Sequence, residues 1–179
     1  MKGIVFVELA AFVERHAGVE MLEEALEEVA SETGGAYTSV GNYSHQEAVD
    51  LVLEVARRMD TPAPDMMRQF GFELTTRFAE MYPEFFENIS NSREFLRGIH
   101  SHIHVEVRKL YADAKPPAFD VIEDGDNMTL VYSSHRPMAM LGLGLVEGSI
   151  EYFGDDLVVT TDPVELTYET SARYFITKR

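Results

Sequence analysis

Three of the chain's six histidines, His100, His102 and His104, lie within five consecutive positions. A histidine ring nitrogen can bind a metal ion, so this stretch is a candidate metal site. Three interpretations of His104 stay open: a helix histidine with a satisfied hydrogen bond, an axial ligand of a metal, or a zinc ligand shared with His100. The zinc alternative lacks a third ligand at matched spacing, because the nearest carboxylate, Glu106, lies about 200° around a helix from His104.

A second polar group, Tyr132, Ser134 and Arg136, lies at the end of a predicted strand in the sequence YSSHR. Alternation along a strand sends these three side chains to one side. Two hydroxyl donors and a planar guanidinium suit a ligand that carries carboxylates, because arginine binds a carboxylate through two hydrogen bonds. The alternative interpretation is an ordinary strand end in contact with solvent.

Apolar residues recur at regular spacing in several segments, and they form either an ordinary core or the lining of a cofactor pocket. One histidine, a group that binds carboxylates and surplus apolar surface together meet the needs of a haem. A haem requires an axial ligand, partners for its propionates and an apolar slot. The apolar residues concerned are Val5, Leu9, Phe70, Leu74, Phe78, Met138, Leu141 and Leu145.

The composition limits the classes of function. The 179 residues, 45% of them hydrophobic and 26% charged, predict one globular domain with a substantial core. The formal net charge of −16 disfavours nucleic acid and anionic membrane surfaces as partners. The absence of cysteine excludes disulfides, thiolate catalysis and cysteine-ligated metals. Since no apolar run approaches the roughly 18 residues of a membrane span and the N-terminus lacks a signal-peptide pattern, we expect a cytoplasmic location and no membrane partner.

The elements that position these residues begin with helices. Helical periodicity is found in residues 4–16, 19–31 and 67–81, and Ser44 with Glu47 predicts a capping box at the start of a further helix. Short β-rich runs then follow, FDVIED, MTLVYSS, LVVTTD and RYFITK, with MAMLGLGLVEGSIEYFG predicted as a helix between the second and the third. This order predicts an α+β fold with a C-terminal antiparallel sheet.

The histidine stretch itself has helical periodicity, which predicts one helix through residues 96–110. On such a helix His100 and His104 share a side one turn apart, whereas His102 points elsewhere. The helix must end before the Pro116-Pro117 pair. The apolar positions that carry this prediction are Leu96, Ile99, Ile103, Val107 and Leu110.

Six features together resemble the H-NOX (haem–nitric oxide/oxygen binding) domain family, bacterial relatives of the haem domain of soluble guanylate cyclase. They are MKGIVF at the start, YPEFF, His104 seven residues before Tyr111, Pro117, the Y-x-S-x-R element and GLVEGSIEYFG, and they extend over essentially the whole chain. The resemblance implies a single haem-binding sensor domain. Its helical distal part would cover about residues 1–65 and its haem-holding helix and sheet about 66–179, enclosing haem b (iron protoporphyrin IX).

The resemblance also assigns roles to residues. It implies that His104 is the axial ligand of the haem iron and that Tyr132, Ser134 and Arg136 bind the propionates. It implies further that Pro117 distorts the haem and that Gly71 is a hinge. The distal pocket would be lined by Val5, Leu9, Leu74, Phe78, Leu141 and Leu145. His100 and His102 match no functional position.

The function that the resemblance implies is gas sensing without catalysis: NO, and also CO, binds at ferrous iron, and the signal passes to a separate enzyme. The expected partner is a histidine kinase or a cyclic-di-GMP enzyme, because 179 residues leave no room for such a domain. Leu141 stands where oxygen-binding members have a tyrosine, which argues against a stable O₂ complex, and a cysteine-rich zinc site near the C-terminus is excluded. The alternative, a peroxidase-like or NO-consuming haem protein, requires distal acid–base groups, which Val5, Leu74, Phe78 and Leu141 do not supply.

Overall fold

Helices fill the N-terminal part of the chain, and all four strands that the structure describes follow residue 117. The structure is a computed structural model that describes residues 1–163 and 170–179. The chain forms two compact units, residues 1–70 and 71–179. No helix among the described residues is both long enough and apolar enough to cross a bilayer. The predicted α+β fold with a C-terminal antiparallel sheet is confirmed.

The first unit is helical. It contains α1 (Gly3–Ala17), α2 (Val19–Glu28), α3 (His45–Arg58) and the beginning of α4 (Ala63–Met81). Helix α1 buries the face formed by Phe6, Leu9 and Val13, whose three- and four-residue spacing places them on one side. Gly18 separates α1 from α2 because it takes a positive φ of 89° that other residues rarely adopt.

The start of α3 differs from the predicted capping box. Ser44 does cap the helix, since its hydroxyl accepts a 3.3 Å hydrogen bond from the backbone N–H of Gln46. The carboxylate of Glu47, however, does not turn back to Ser44. It accepts hydrogen bonds from the hydroxyls of Ser31 and, at 2.8 Å, Tyr37. Glu47 therefore holds the preceding loop onto α3.

The second unit begins in the middle of α4 and continues through the histidine stretch. The prediction of one helix through residues 96–110 is wrong in one respect, because the stretch has three parts. They are α5 (Ser92–Gly98), a π-helical turn (Ile99–Ile103) and α6 (His104–Leu110). A π-turn holds one more residue than the α-turn it replaces, so the spacing of the histidines around the helix changes there.

A four-stranded antiparallel sheet with the order β1-β2-β4-β3 completes the second unit. Its strands are β1 (Ala118–Asp124), β2 (Asn127–Ser133), β3 (Leu157–Thr161) and β4 (Ser171–Lys178). The glycine-rich segment between β2 and β3 forms helix α7 (Ala139–Phe153), as predicted. The buried positions of β2 and β4 alternate with outward ones, as expected for a sheet with one covered face.

Helices α4 and α7 approach each other closely in the second unit. A Cβ atom on Gly71 would lie 2.3 Å from the carbonyl oxygen of Leu141, and one on Gly148 would lie 2.5 Å from that of Phe72. The hydroxyl of Thr75 donates a 3.1 Å hydrogen bond to the carbonyl of Leu145 between these two points. Gly71 is therefore required by backbone-to-backbone packing, quite apart from its proposed role as a hinge.

Candidate functional site

His104 is the first residue of α6 and directly follows the π-turn. The pKa of His104 is lowered from 6.5 to about 4, mainly by burial and also by the nearby charges of His100 and Arg108. The backbone of Pro117 raises the pKa, but by less than burial lowers it. The imidazole is therefore neutral at ordinary pH. His100 and His102 are both exposed, so only one of the three histidines faces the protein interior.

One ring nitrogen of His104 lacks a partner. Its Nδ1 atom is buried and has no hydrogen-bond partner among residues 1–163 and 170–179. A buried polar atom of this kind costs free energy unless something binds it, and a neutral imidazole is a good metal ligand. Within the same described residues no group of three or more His, Asp or Glu side chains could hold a metal ion. The zinc interpretation thus gains no third ligand, whereas His104 fits the single protein ligand of a haem.

Contacts from three directions hold α5 in place before the π-turn. The backbone N–H and hydroxyl of Ser92, at the start of α5, both donate to one carboxylate oxygen of Asp155, at 2.7 and 2.5 Å. The ring of Phe95 stacks on Phe86 with centroids 4.7 Å apart. Arg97 forms an ion pair with Glu123 of β1. In α6, by contrast, residues 104–109 are all half-buried or exposed. His104 thus lies where a well-anchored helix passes into a loosely packed one.

Tyr132, Ser134 and Arg136 lie together, although not by the predicted alternation. Strand β2 ends at Ser133, so Tyr132 belongs to the strand and the other two belong to the turn that follows. The backbone N–H of Arg136 donates a 3.1 Å hydrogen bond to the Ser134 hydroxyl. Burial raises the pKa of Tyr132, while a hydrogen bond with the Ser134 side chain and the charge of Arg136 lower it. The three groups therefore form a cluster of hydrogen-bond donors with one positive charge.

The loop before β1 connects this cluster to the histidine. The Arg136 guanidinium donates a 2.8 Å hydrogen bond to the backbone carbonyl of Lys115. Two residues further on, Pro117 is half-buried, and its backbone lies close enough to His104 to affect the pKa of that imidazole. The predicted axial ligand, the predicted distorting proline and the predicted carboxylate-binding arginine are thus brought to one region of the second unit.

Two aromatic residues of this region were not singled out from the sequence. The ring of Phe119 in β1 lies 5.9 Å from the ring of His104 and 5.5 Å from that of Tyr132. The ring of Tyr174 in β4 lies 5.9 Å from Tyr132 on the far side from the histidine. The only available signal was strand alternation, since RYFITK places Tyr174 at an inward position without indicating what it contacts.

The residues predicted to line the distal pocket are divided between the two units. In the first unit, Leu9 is buried and Val5 is half-buried on α1. In the second unit the members on α4 and α7 are apolar and largely buried. They are Leu74, Phe78, Leu141 and Leu145, of which Leu74 and Leu141 are the more deeply buried.

Comparisons with known proteins agree on one family. A profile of the family described as haem-NO-binding matches residues 2–161 of the chain. A comparison with curated proteins finds no match. The Fe(II) unliganded H-NOX protein from K. algicida is 31% identical, with a TM-score of 0.92, and the match covers 100% of this chain and 97% of that chain.

Two further solved structures are similar over the whole chain. The H-NOX protein from S. oneidensis in the Fe(II)NO ligation state is 27% identical with a TM-score of 0.90, covering 100% of this chain and 99% of that one. The IWP-051-bound H-NOX from Shewanella woodyi in the Fe(II)CO ligation state is 36% identical with a TM-score of 0.82, covering 100% of this chain and 95% of that one.

Proposed function

Because the chain belongs to the haem-NO-binding family, we propose that it is a haem-based gas sensor that binds nitric oxide at ferrous iron held by His104. The observation that carries the proposal is the neutral imidazole of His104, whose buried Nδ1 atom has no hydrogen-bond partner in the part of the chain that the structure describes. When bound, the haem supplies a ferrous iron that takes NO or CO as a ligand. Haem b suits this chain better than a c-type haem, because the thioether bonds of a c-type haem require cysteines and the sequence has none.

The remaining haem contacts are assigned to residues of the same region. The hydroxyls of Tyr132 and Ser134 and the guanidinium of Arg136 hold the propionates, since they are donors grouped around one positive charge. Pro117 presses on the macrocycle from the loop before β1. In the second unit, the apolar side chains of Leu74, Phe78, Leu141 and Leu145 exclude water from the gas-binding side.

The choice of gas follows from the absence of a distal donor in this assignment. Bound O₂ carries partial negative charge and gains from a hydroxyl donor, whereas NO does not need one. Leu141, at the position of the family's distal tyrosine, offers no such donor. The relatives from S. oneidensis and Shewanella woodyi were solved with NO and with CO. We infer the same two ligands for this chain.

The signal leaves through the helix that carries His104. Since α5 is anchored and α6 is loosely packed, a change in how His104 is held would move α6 more readily than α5. A separate signalling enzyme, a histidine kinase or a cyclic-di-GMP enzyme, binds this protein and responds to the movement of α6. Gly71, within α4, is the hinge residue of this movement.

A visible spectrum of the reduced protein, recorded without gas and then with NO, tests the proposal. We expect a Soret band from bound haem that shifts when NO is added, and no peroxide turnover above that of free haem. A protein that takes up no haem would refute the proposal. Rapid peroxide turnover or steady consumption of NO would favour the alternative, a catalytic haem protein.

A further inference from the structure

Tyr174 is a fully buried tyrosine in β4, and its relative exposure is 0%. Its hydroxyl donates a 2.7 Å hydrogen bond to the backbone carbonyl of Ala139, the first residue of α7. Burial raises the pKa of Tyr174 far above its usual range, and the nearby Tyr132 raises it further, so the hydroxyl stays protonated. Tyr174 is therefore a permanent hydrogen-bond donor that fastens the start of α7 to the sheet.

The ring of Tyr174 also forms one wall around Tyr132. Tyr132 lies between the ring of Phe119, at 5.5 Å, and the ring of Tyr174, at 5.9 Å. Gly142 of α7 closes the space from a third side, because a Cβ there would lie 2.6 Å from the Tyr174 hydroxyl and 3.3 Å from the Tyr132 ring. These three neighbours therefore limit the orientations that the Tyr132 ring can adopt.

This confinement matters for a hydrogen-bond donor. A phenol at the end of a long side chain binds a carboxylate well only if its ring is already oriented, because otherwise ordering the ring costs part of the binding free energy. The hydrogen bond to Ala139 fixes the ring of Tyr174, and the fixed ring limits where the Tyr132 ring can go.

We propose that Tyr174 is a positioning residue for the carboxylate-binding cluster, orienting the phenol of Tyr132 toward the haem propionates without contacting them itself. The inference rests on the proposed function, because it requires that Tyr132 binds propionates. It adds to that function a residue on a different strand that determines how tightly the haem carboxylates are held.

The variant Tyr174→Phe tests this role, since it removes one hydroxyl and keeps the ring. We expect haem b to transfer to apomyoglobin about 2- to 10-fold faster than from the wild-type protein, the range of one net hydrogen bond. With iron protoporphyrin IX dimethyl ester, whose propionates cannot accept in the same way as carboxylates, the variant and the wild type should release the porphyrin at equal rates. A general loosening of the fold would speed both.

Tyr152→Phe is the matched control, because Tyr152 is 48% exposed and lies on α7 outside the cluster. It should leave both transfer rates unchanged.

A second readout uses the haem-free protein with ¹³Cζ-labelled tyrosine. The Tyr132 resonance should move in Tyr174→Phe and stay in place in Tyr152→Phe.

Three outcomes would overturn the proposed role of Tyr174. Equal acceleration with haem b and with its dimethyl ester, or an unmoved Tyr132 resonance, overturns the role of Tyr174 while leaving haem binding intact. A wild-type protein that takes up no haem overturns both the role and the proposed function.

If Tyr174→Phe fails to fold, Gly142→Ala replaces it, because the added methyl presses on Tyr174 and Tyr132 from the other side. It should give the same ester-dependent acceleration.

Discussion

The guanidinium of Arg136 donates a hydrogen bond to the backbone carbonyl of Lys115, 21 residues earlier in the chain and two residues before Pro117. Arg136 is half-buried, and burial lowers the pKa of its guanidinium, although the group remains charged. The loop that carries the proline therefore occupies one of the five N–H donors of the guanidinium, and the geometry of the fork lets other N–H groups bind a carboxylate at the same time. A propionate can therefore bind to Arg136 while the guanidinium keeps its hydrogen bond to the loop.

Arg136→Ala should weaken haem retention. A hydrogen bond from a charged group contributes on the order of 1.5–3 kcal/mol, and Arg136→Ala also removes the contact with the loop at Lys115. The rate of haem transfer to apomyoglobin measures the effect. Arg136→Lys is the control, since it keeps the charge but not the planar fork. Its rate of haem transfer should lie between the rates of the wild type and of Arg136→Ala. A rate for Arg136→Ala equal to that of the wild type would remove the propionate role.

His104→Gly should abolish the native iron linkage, because no other histidine of the stretch faces inward. The reduced protein's visible spectrum should change, and added imidazole should restore much of it by filling the space left by the side chain. His100→Ala and His102→Ala are the matched controls, because both residues are exposed in the same turn. Loss of the haem spectrum in His100→Ala instead would show that the ligand is assigned to the wrong histidine.

Reduced protein exposed to air should form no stable O₂ complex, while NO and CO should both bind. A distal hydroxyl contributes about 1–3 kcal/mol to bound O₂, which corresponds to roughly 5- to 150-fold in affinity. Leu141→Tyr should therefore raise O₂ affinity within that range, and Leu141→Phe, which adds size without a hydroxyl, should not. The Soret and α/β bands after admission of air report the outcome. A wild-type oxy spectrum that lasts for many minutes would contradict NO selectivity but not haem binding.

The haem-free protein should lose stability as the pH falls below 6.5. The folded pKa of His104, about 4, lies below its ordinary 6.5, so the unfolded chain binds more protons in between. The contribution of the neutral imidazole is complete above pH 6.5 and is lost progressively toward pH 4. At pH 5 the loss is at most about 2 kcal/mol. Urea unfolding of wild type and His104→Leu at pH 7.5 and pH 5 checks this, and an identical pH dependence in both would contradict it.

Local patterns were enough to predict most of the secondary structure. Helix α1 follows from the spacing of Phe12 and Val13 with the apolar residues before them, and it ends where Gly18 takes a positive φ. The four strands follow from alternation and turn residues. These features depend on neighbours within one or two turns, and such neighbours are visible in the sequence.

Contacts across long sequence separations could not be predicted in the same way. The anchoring of Ser92 by Asp155 joins residues 63 positions apart, and the bond from Tyr174 to Ala139 joins residues 35 apart. The π-turn was missed for a related reason. Its extra residue leaves the apolar spacing nearly helical, so the pattern of apolar residues does not indicate where the helix changes. The choice of His104 as the candidate ligand rested on the helical geometry of the stretch together with the register to Tyr111 that the family resemblance supplied.

The π-turn at Ile99–Ile103 also affects how this chain should be aligned with others. Because such a turn holds one residue more than the α-turn it replaces, a chain shorter by one residue in this interval could carry its inward imidazole on an uninterrupted α-helix. An alignment that forbids a gap there would pair the wrong histidine with the ligand position. A single gap within the interval keeps His104 opposite the corresponding histidine, so the HxHxH pattern is best treated as an insertion point rather than as a motif.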